Sequence, residues 1–505
     1  MPRVSPRAYF ALVRRGNHAL VRRAYHALVR RAYHALVLLG IVSLTSLSPN
    51  RVGAQRPTLS AATRQYVSVD SSLVALTNVR VIDGTGAAAH DGQVLIIRDG
   101  RIAAVGPAAS TPVPAGALVM DLAGKSVIPG LVMVHEHLFY PTGPGVYGNV
   151  SESFSRLYLA GGVTSMRTGG NMNGYGELII AKAIARGDKP GPWIDATAPY
   201  VNGPNPFGQM RALESPDEAR RFVNWWADQG ATSFKAYMQI HRDVLGAAIA
   251  EAHKRGMKVT GHLCSVTYRE AAALGIDDLE HGFLAATDFV ADKKPDECPR
   301  QGGMQSLTAL EVTSPEFTAL VAELVKRKVA ITSTMTVFET FTPGRPMPPG
   351  IDVLTPQLRE QFEQMQGNLA KVSRSIYSTA LPKGMAMELA FARAGGLLVV
   401  GTDPTGGGGV IAGYSNQRAL ELLVEGGFSP LEAIRVGTLN GATYLGRDAQ
   451  VGTIAVGKQA DLVIINGDPS ARIADVRNVQ LVFRQGVGYD PQKLINSVKG
   501  RVGLF

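Results

Sequence analysis

The chain has 505 residues, 45% hydrophobic and 18% charged, a balance that excludes a largely disordered polypeptide and supplies a sizeable core. Its formal charge of +10 would suit nucleic acid or an acidic membrane, but nine of the basic residues are arginines within 1–54, a stretch without lysine, aspartate or glutamate. The remainder is close to neutral, which excludes a polyanion-binding surface and so a nucleic-acid partner.

Residues 6–37 read as octads: "PRAYFALV", "RRGNHALV" and "RRAYHALV" twice. Units this short do not build a folded repeat array. They form an arginine-rich region ahead of the apolar run 35–47, which is too short to span a bilayer and suits a signal peptide. Val52 and Ala54 then occupy the −3 and −1 positions of a cleavage site. Residues 1–54 are therefore expected to be a leader. The protein is expected to be exported, periplasmic or secreted, with no stable membrane span after leader removal. An uncleaved amphipathic anchor is the competing reading.

The segments 76–86 and 92–108 alternate as short strands around "DGTG" and "RDGR" turns, and 452–469 with 479–487 repeat the pattern near the other end. Between them, short apolar strands alternate with amphipathic helices, beginning with "VIPGLVMVHEH" and ending with "LLVVGTD". Eight such strands predict an α/β fold: a (β/α)8 TIM-like barrel over 128–447. A small β-sandwich would come from both ends of the mature chain, 66–127 and 448–490. Two long insertions, 288–316 and 339–390, follow barrel strands and should lie at the mouth as a lid or an oligomer contact. A homo-oligomer is expected.

His135 and His137 end the first barrel strand. Residues i and i+2 of a strand share a face, so this pair can ligate one ion, while Glu136 points into the helix-packing layer. Further strand ends carry Lys235 in "ATSFKAY", His262 in "MKVTGHL", His281 in "DDLEHG" and Asp403 in "LLVVGTD". Barrel active sites form at these ends. A lysine in an apolar strand is costly unless paired or modified. Its carbamate, formed with CO2, would be an anion able to bridge two ions; the alternative is a lysine paired with Asp403 and no metal. Tyr237, Arg167 and His241 are candidate substrate contacts, Arg167 also suiting a plain ion pair. Cys264 and Cys298 suit either a disulfide or two buried thiols.

These motifs resemble the metal-dependent amidohydrolase superfamily. "IPGLVMVHEH" matches its PGL…HxH signature, and "GATSFKAY" looks like the segment carrying a carboxylated lysine. "GHL…DDLEHG" is similar to the imidazolonepropionase-like and prolidase-like branch, and "VGTD" resembles the final aspartate segment. One departure is Met133, which stands where an aspartate often precedes the first histidine. The resemblance implies two divalent metal ions, zinc first among the candidates. His135, His137 and Asp403 would hold one ion, His262 and His281 the other, with carbamylated Lys235 between them. It further implies hydrolysis of a C–N bond by a metal-bridging hydroxide, with Asp403 as base and then acid. The expected substrate is a small-molecule amide, a dipeptide of Xaa-Pro type or an N-acyl amino acid. Alternatives are a cyclic amide such as an imidazolone or hydantoin, or a non-catalytic binding protein on the same barrel.

Overall fold

The computed structural model describes residue 56 and residues 58–503, apart from 144, 301 and 302. The expected leader, 1–54, lies outside the described residues. Eight parallel strands carry the site: β1 Leu131–Glu136, β2 Val163–Thr168, β3 Trp193–Asp195, β4 Ser233–Ala236, β5 Lys258–Gly261, β6 Asp278–Glu280, β7 Ala330–Ser333 and β8 Leu398–Val400. A helix follows each of them, from Ser151–Ala160 after β1 to Tyr414–Glu425 after β8. Every residue of β1 is buried, as expected of a strand covered on both faces. Val132 and Val134 pack outward with Ala442 and Tyr444. Leu131 and Met133 join the main core from the opposite face.

The expected barrel is corrected in one respect: its hydrogen-bond ladder is not continuous. β1 to β3 form one parallel sheet and β4 to β8 another. The arrangement is TIM-barrel-like, with two seams. At the first, only isolated bridges, Thr197 with Ser233 and Val201 with Ala236, link the residues after β3 to β4. At the second, Thr402 and Asp403 donate their N–H groups to the His135 carbonyl at 3.0 and 3.1 Å. Gly401 explains this second break. A Cβ there would collide with the His135 backbone, so the two strands approach more closely than a regular ladder of side-chain-bearing residues allows.

The two ends of the described chain do join, but in a single nine-stranded mixed sheet where the sequence suggested a sandwich. Strand Leu462–Ile465 lies antiparallel to Ser126–Pro129, which in turn runs parallel to Leu73–Val81. Val74, Leu76, Leu95, Ile97, Leu462 and Phe483 contribute to its separate core. The strand Ser126–Pro129 leads into β1 after one residue, so the sheet anchors the strand that carries the histidine pair. Among the described residues no helix is long and apolar enough to cross a membrane.

Candidate active site

The sequence-derived ligand set converges at the C-terminal ends of the parallel strands. His135, His137, Lys235, His281 and Asp403 are each at least nine-tenths buried, and His262 is half-buried beside them. Ring centroids of His135 lie 5.2 Å from His137 and 4.8 Å from His281, and those of His262 and His281 are 4.2 Å apart. Asp403 closes the group: its Oδ1 is 3.1 Å from His137 Nε2 and 3.6 Å from His135 Nε2, and its Oδ2 is 3.6 Å from His281 Nδ1. Donor atoms of His135, His281 and Asp403 all fall within 4.8 Å of one another.

Local backbone geometry sets these directions. His281 and Asp403 both adopt left-handed backbone, with φ of 70° and 54°. Such conformations are uncommon outside glycine and cluster at functional sites. Tyr158 braces the histidine pair, since its hydroxyl donates to the His137 carbonyl at 2.9 Å and accepts from the His137 N–H at 3.3 Å. The Gly170 carbonyl lies 3.3 Å from His137 Nδ1, which leaves Nε2 free to face Asp403. Glu136 points away from the site and accepts from Asn416 of helix Tyr414–Glu425 at 2.9 Å and from Thr402. Burial raises its pKa to about 7.

The electrostatics favour a cation. Burial pushes His137 down to about 4 and His262 to about 3, and lowers His135 and His281 as well. All four imidazoles are therefore neutral near pH 7 and offer lone pairs. Burial alone would raise Asp403, but its contacts with His135 and His137 outweigh that and hold it well below the usual carboxylate range. His135 Nδ1 and Glu280 Oε2 are buried without a hydrogen bond of good geometry. A buried, nitrogen- and oxygen-rich donor cluster of this kind fits zinc or a similar divalent ion.

Lys235 does not pair with Asp403. Its Nζ sits against Glu280 Oε2, and burial lowers its pKa well below the ordinary lysine value. Glu280 also lies 2.8 Å from His135 Nδ1 and accepts from Arg167 at 3.0 Å. It thus offers a carboxylate behind the first histidine, where Met133 cannot. Reading the sequence missed Glu280, because strict strand alternation would turn it away from a site that contains His281. The left-handed turn at His281 breaks that alternation. Thr334 was also missed; its Oγ1 lies 2.9 Å from His281 Nδ1.

Of the three candidate substrate contacts, the structure brings one to the pocket. Tyr237 lines it, with its ring centroid 4.9 Å from that of His262. Arg167 is buried beneath it, and all five of its N–H donors are engaged, by Ser233, Val134, Glu280, Phe234 and Thr260. No donor is left for a substrate carboxylate. His241 is the residue immediately before helix Arg242–Lys254 and does not line the pocket. Phe139, Tyr147, Tyr200 and Phe207 complete a wall that the sequence did not reveal. Cys264 and Cys298 form a disulfide, which ties the first insertion to the chain two residues beyond His262.

Comparison with known proteins agrees with this geometry. Residues 356–488 match the amidohydrolase family. An imidazolonepropionase from Sphingopyxis alaskensis is 25% identical over 447 residues, covering 82% of this chain and 94% of its own. Two solved structures share the fold. One, from Bifidobacterium longum and assigned to the prolidases, has a TM-score of 0.63 at 24% identity, over 85% of this chain and 99% of its own. The other, a Xaa-Pro dipeptidase with bound methionine, has a TM-score of 0.62 at 17% identity, over 83% of this chain and all of its own.

Proposed function

We propose that this chain, whose residues 356–488 match the amidohydrolase family, is an exported, binuclear metal-dependent member of that superfamily, a hydrolase acting on C–N bonds that cleaves a linear amide. The observation that carries the reading is the convergence of four imidazoles and one carboxylate on a buried pocket. His135, His137 and Asp403 would hold one ion and His262 with His281 the second. The lowered basicity of Lys235 supports its conversion to a carbamate between them, since CO2 adds to the neutral amine with loss of one proton. When bound, the ions would supply Lewis acidity, polarising a carbonyl and lowering the pKa of a water toward neutrality.

The protein's own groups do the rest. Asp403 is ionised at neutral pH and held by a 2.9 Å hydrogen bond from Thr405 Oγ1. It is placed to take the proton of the attacking water and deliver it to the leaving nitrogen. Tyr237, which lines the pocket, would hydrogen-bond the substrate carbonyl. The disulfide supports an oxidising compartment. Exposed Tyr175, Ile179 and Trp225 support self-association. Ring hydrolysis is the second reading, favoured by the imidazolonepropionase relative.

The test is amide turnover by the mature protein, assayed on dipeptides, N-acyl amino acids, neutral amides and cyclic amides. Activity should vanish on chelation and return with zinc or another divalent ion. Turnover of cyclic amides alone would select the second reading, and turnover indifferent to chelation would end the metal proposal.

A further inference from the structure

Resting on the amide-hydrolase reading above, we propose that the substrate is uncharged and apolar on both sides of the scissile bond, so a peptide carboxylate is disfavoured. The pocket has two unlike halves. One is the ligand cluster. The other is a wall of Phe139, Tyr147, Tyr200, Phe207, Met210 and Tyr237. Phe139 stacks on His137 at 4.3 Å between centroids, Tyr147 meets Phe139 edge-on at 5.4 Å, and Tyr200 meets Tyr237 at 5.1 Å. The wall therefore begins directly beside the ligands.

A dipeptide or N-acyl amino acid carries its carboxylate two bonds from the scissile nitrogen. With the carbonyl at the ligand cluster, that carboxylate must lie within the wall. Among the described residues, the only lysine or arginine lining the pocket is Lys235, which faces Glu280. Arg167 has no donor to spare. Arg211, next to Met210, lines a separate groove with Trp225 and Trp226. A carboxylate desolvated among phenyl and phenol rings without a cationic partner is penalised heavily. A cationic substituent fares no better, because the wall contributes no acid and Asp403 is committed to the ligand cluster. What the wall does favour is aryl or branched alkyl surface, with the phenol groups as neutral donors to a carbonyl or ether oxygen.

The experiment compares N-acetyl-L-phenylalanine with N-(1-phenylpropan-2-yl)acetamide, in which a methyl replaces the carboxylate two bonds from the scissile nitrogen, on the zinc-loaded mature protein. The neutral member should show a kcat/KM at least about tenfold higher. Equal or greater efficiency on the carboxylate would overturn the proposal. Calorimetric binding of both compounds is measured in parallel and does not depend on turnover. Tighter binding of the neutral compound supports the substrate class even if neither is cleaved, an outcome that would count instead against the amide-hydrolase reading. Equal or tighter binding of the carboxylate would refute the substrate class. Met210→Arg adds a cation to the wall and should shrink or invert the ratio; an unchanged ratio would mean the wall does not set charge preference.

Discussion

The floor and the wall of the pocket are built differently. The floor consists of side chains at or just past strand ends, where backbone pairing fixes direction and spacing fixes face. The wall comes from connections: the hairpin Phe139–Gly143 with Val146–Asn149 after β1, the irregular stretch 196–213 after β3, and Tyr237 after β4. Floor residues are polar, buried and mutually constrained by charge. Wall residues are aromatic apart from Met210, and one, Phe207, is 48% exposed at the mouth. Under the proposed function, chemistry falls to the strand-anchored floor and selection to the connections, which vary cheaply.

If the floor does the chemistry, its loss should be far larger than any wall effect. Asp403→Asn keeps size and removes the proton acceptor, so kcat should fall by about 10²–10⁴-fold with the fold intact by circular dichroism. A loss comparable to that of a wall variant would erase the distinction. Glu280→Gln probes the carboxylate behind His135. Metal affinity should weaken by about 10–100-fold, read by competition with a chromophoric chelator. Unchanged affinity would reduce Glu280 to a partner of Arg167. On the wall, Tyr147→Phe removes one hydroxyl and should raise KM by severalfold, on the order of 0.5–1.5 kcal/mol, with kcat nearly constant.

The floor was also the legible part. His135, His137, Lys235, His262, His281 and Asp403 could be selected because each stands where an apolar strand stops. Glu280 could not, since it and the adjacent His281 can both face the site only because the φ of 70° at His281 breaks strand alternation. Arg167 suits a plain ion pair better than a substrate contact from sequence, and its bond to Glu280 agrees; its depth beneath the pocket is a tertiary fact. The seam at Gly401 and the single mixed sheet likewise depend on strand proximity and pairing partners, which periodicity does not encode. The wall aromatics carried no spacing signal, and the disulfide needed a loop path across more than thirty residues.

The smallest effect belongs outside the pocket. The Arg393 guanidinium, bonded to Glu432, holds that carboxyl down to about 2. A depressed pKa contributes stability above the ordinary carboxylate range and loses it as pH falls through about 2. The pair is partly exposed, so Glu432→Gln should cost only about 0.2–1 kcal/mol at pH 7, less near pH 2, and nothing in kcat/KM. A change in kcat/KM would mean that the site is coupled to this surface.

Anomalous diffraction from crystals of zinc-loaded protein reads the binuclear cage itself. Two peaks are expected inside it, one beside His135, His137 and Asp403 and one beside His262 and His281, with carbamate density extending from Lys235 Nζ between them. A single peak near His135, His281 and Asp403, with an unmodified Lys235 still against Glu280, would contradict the binuclear proposal.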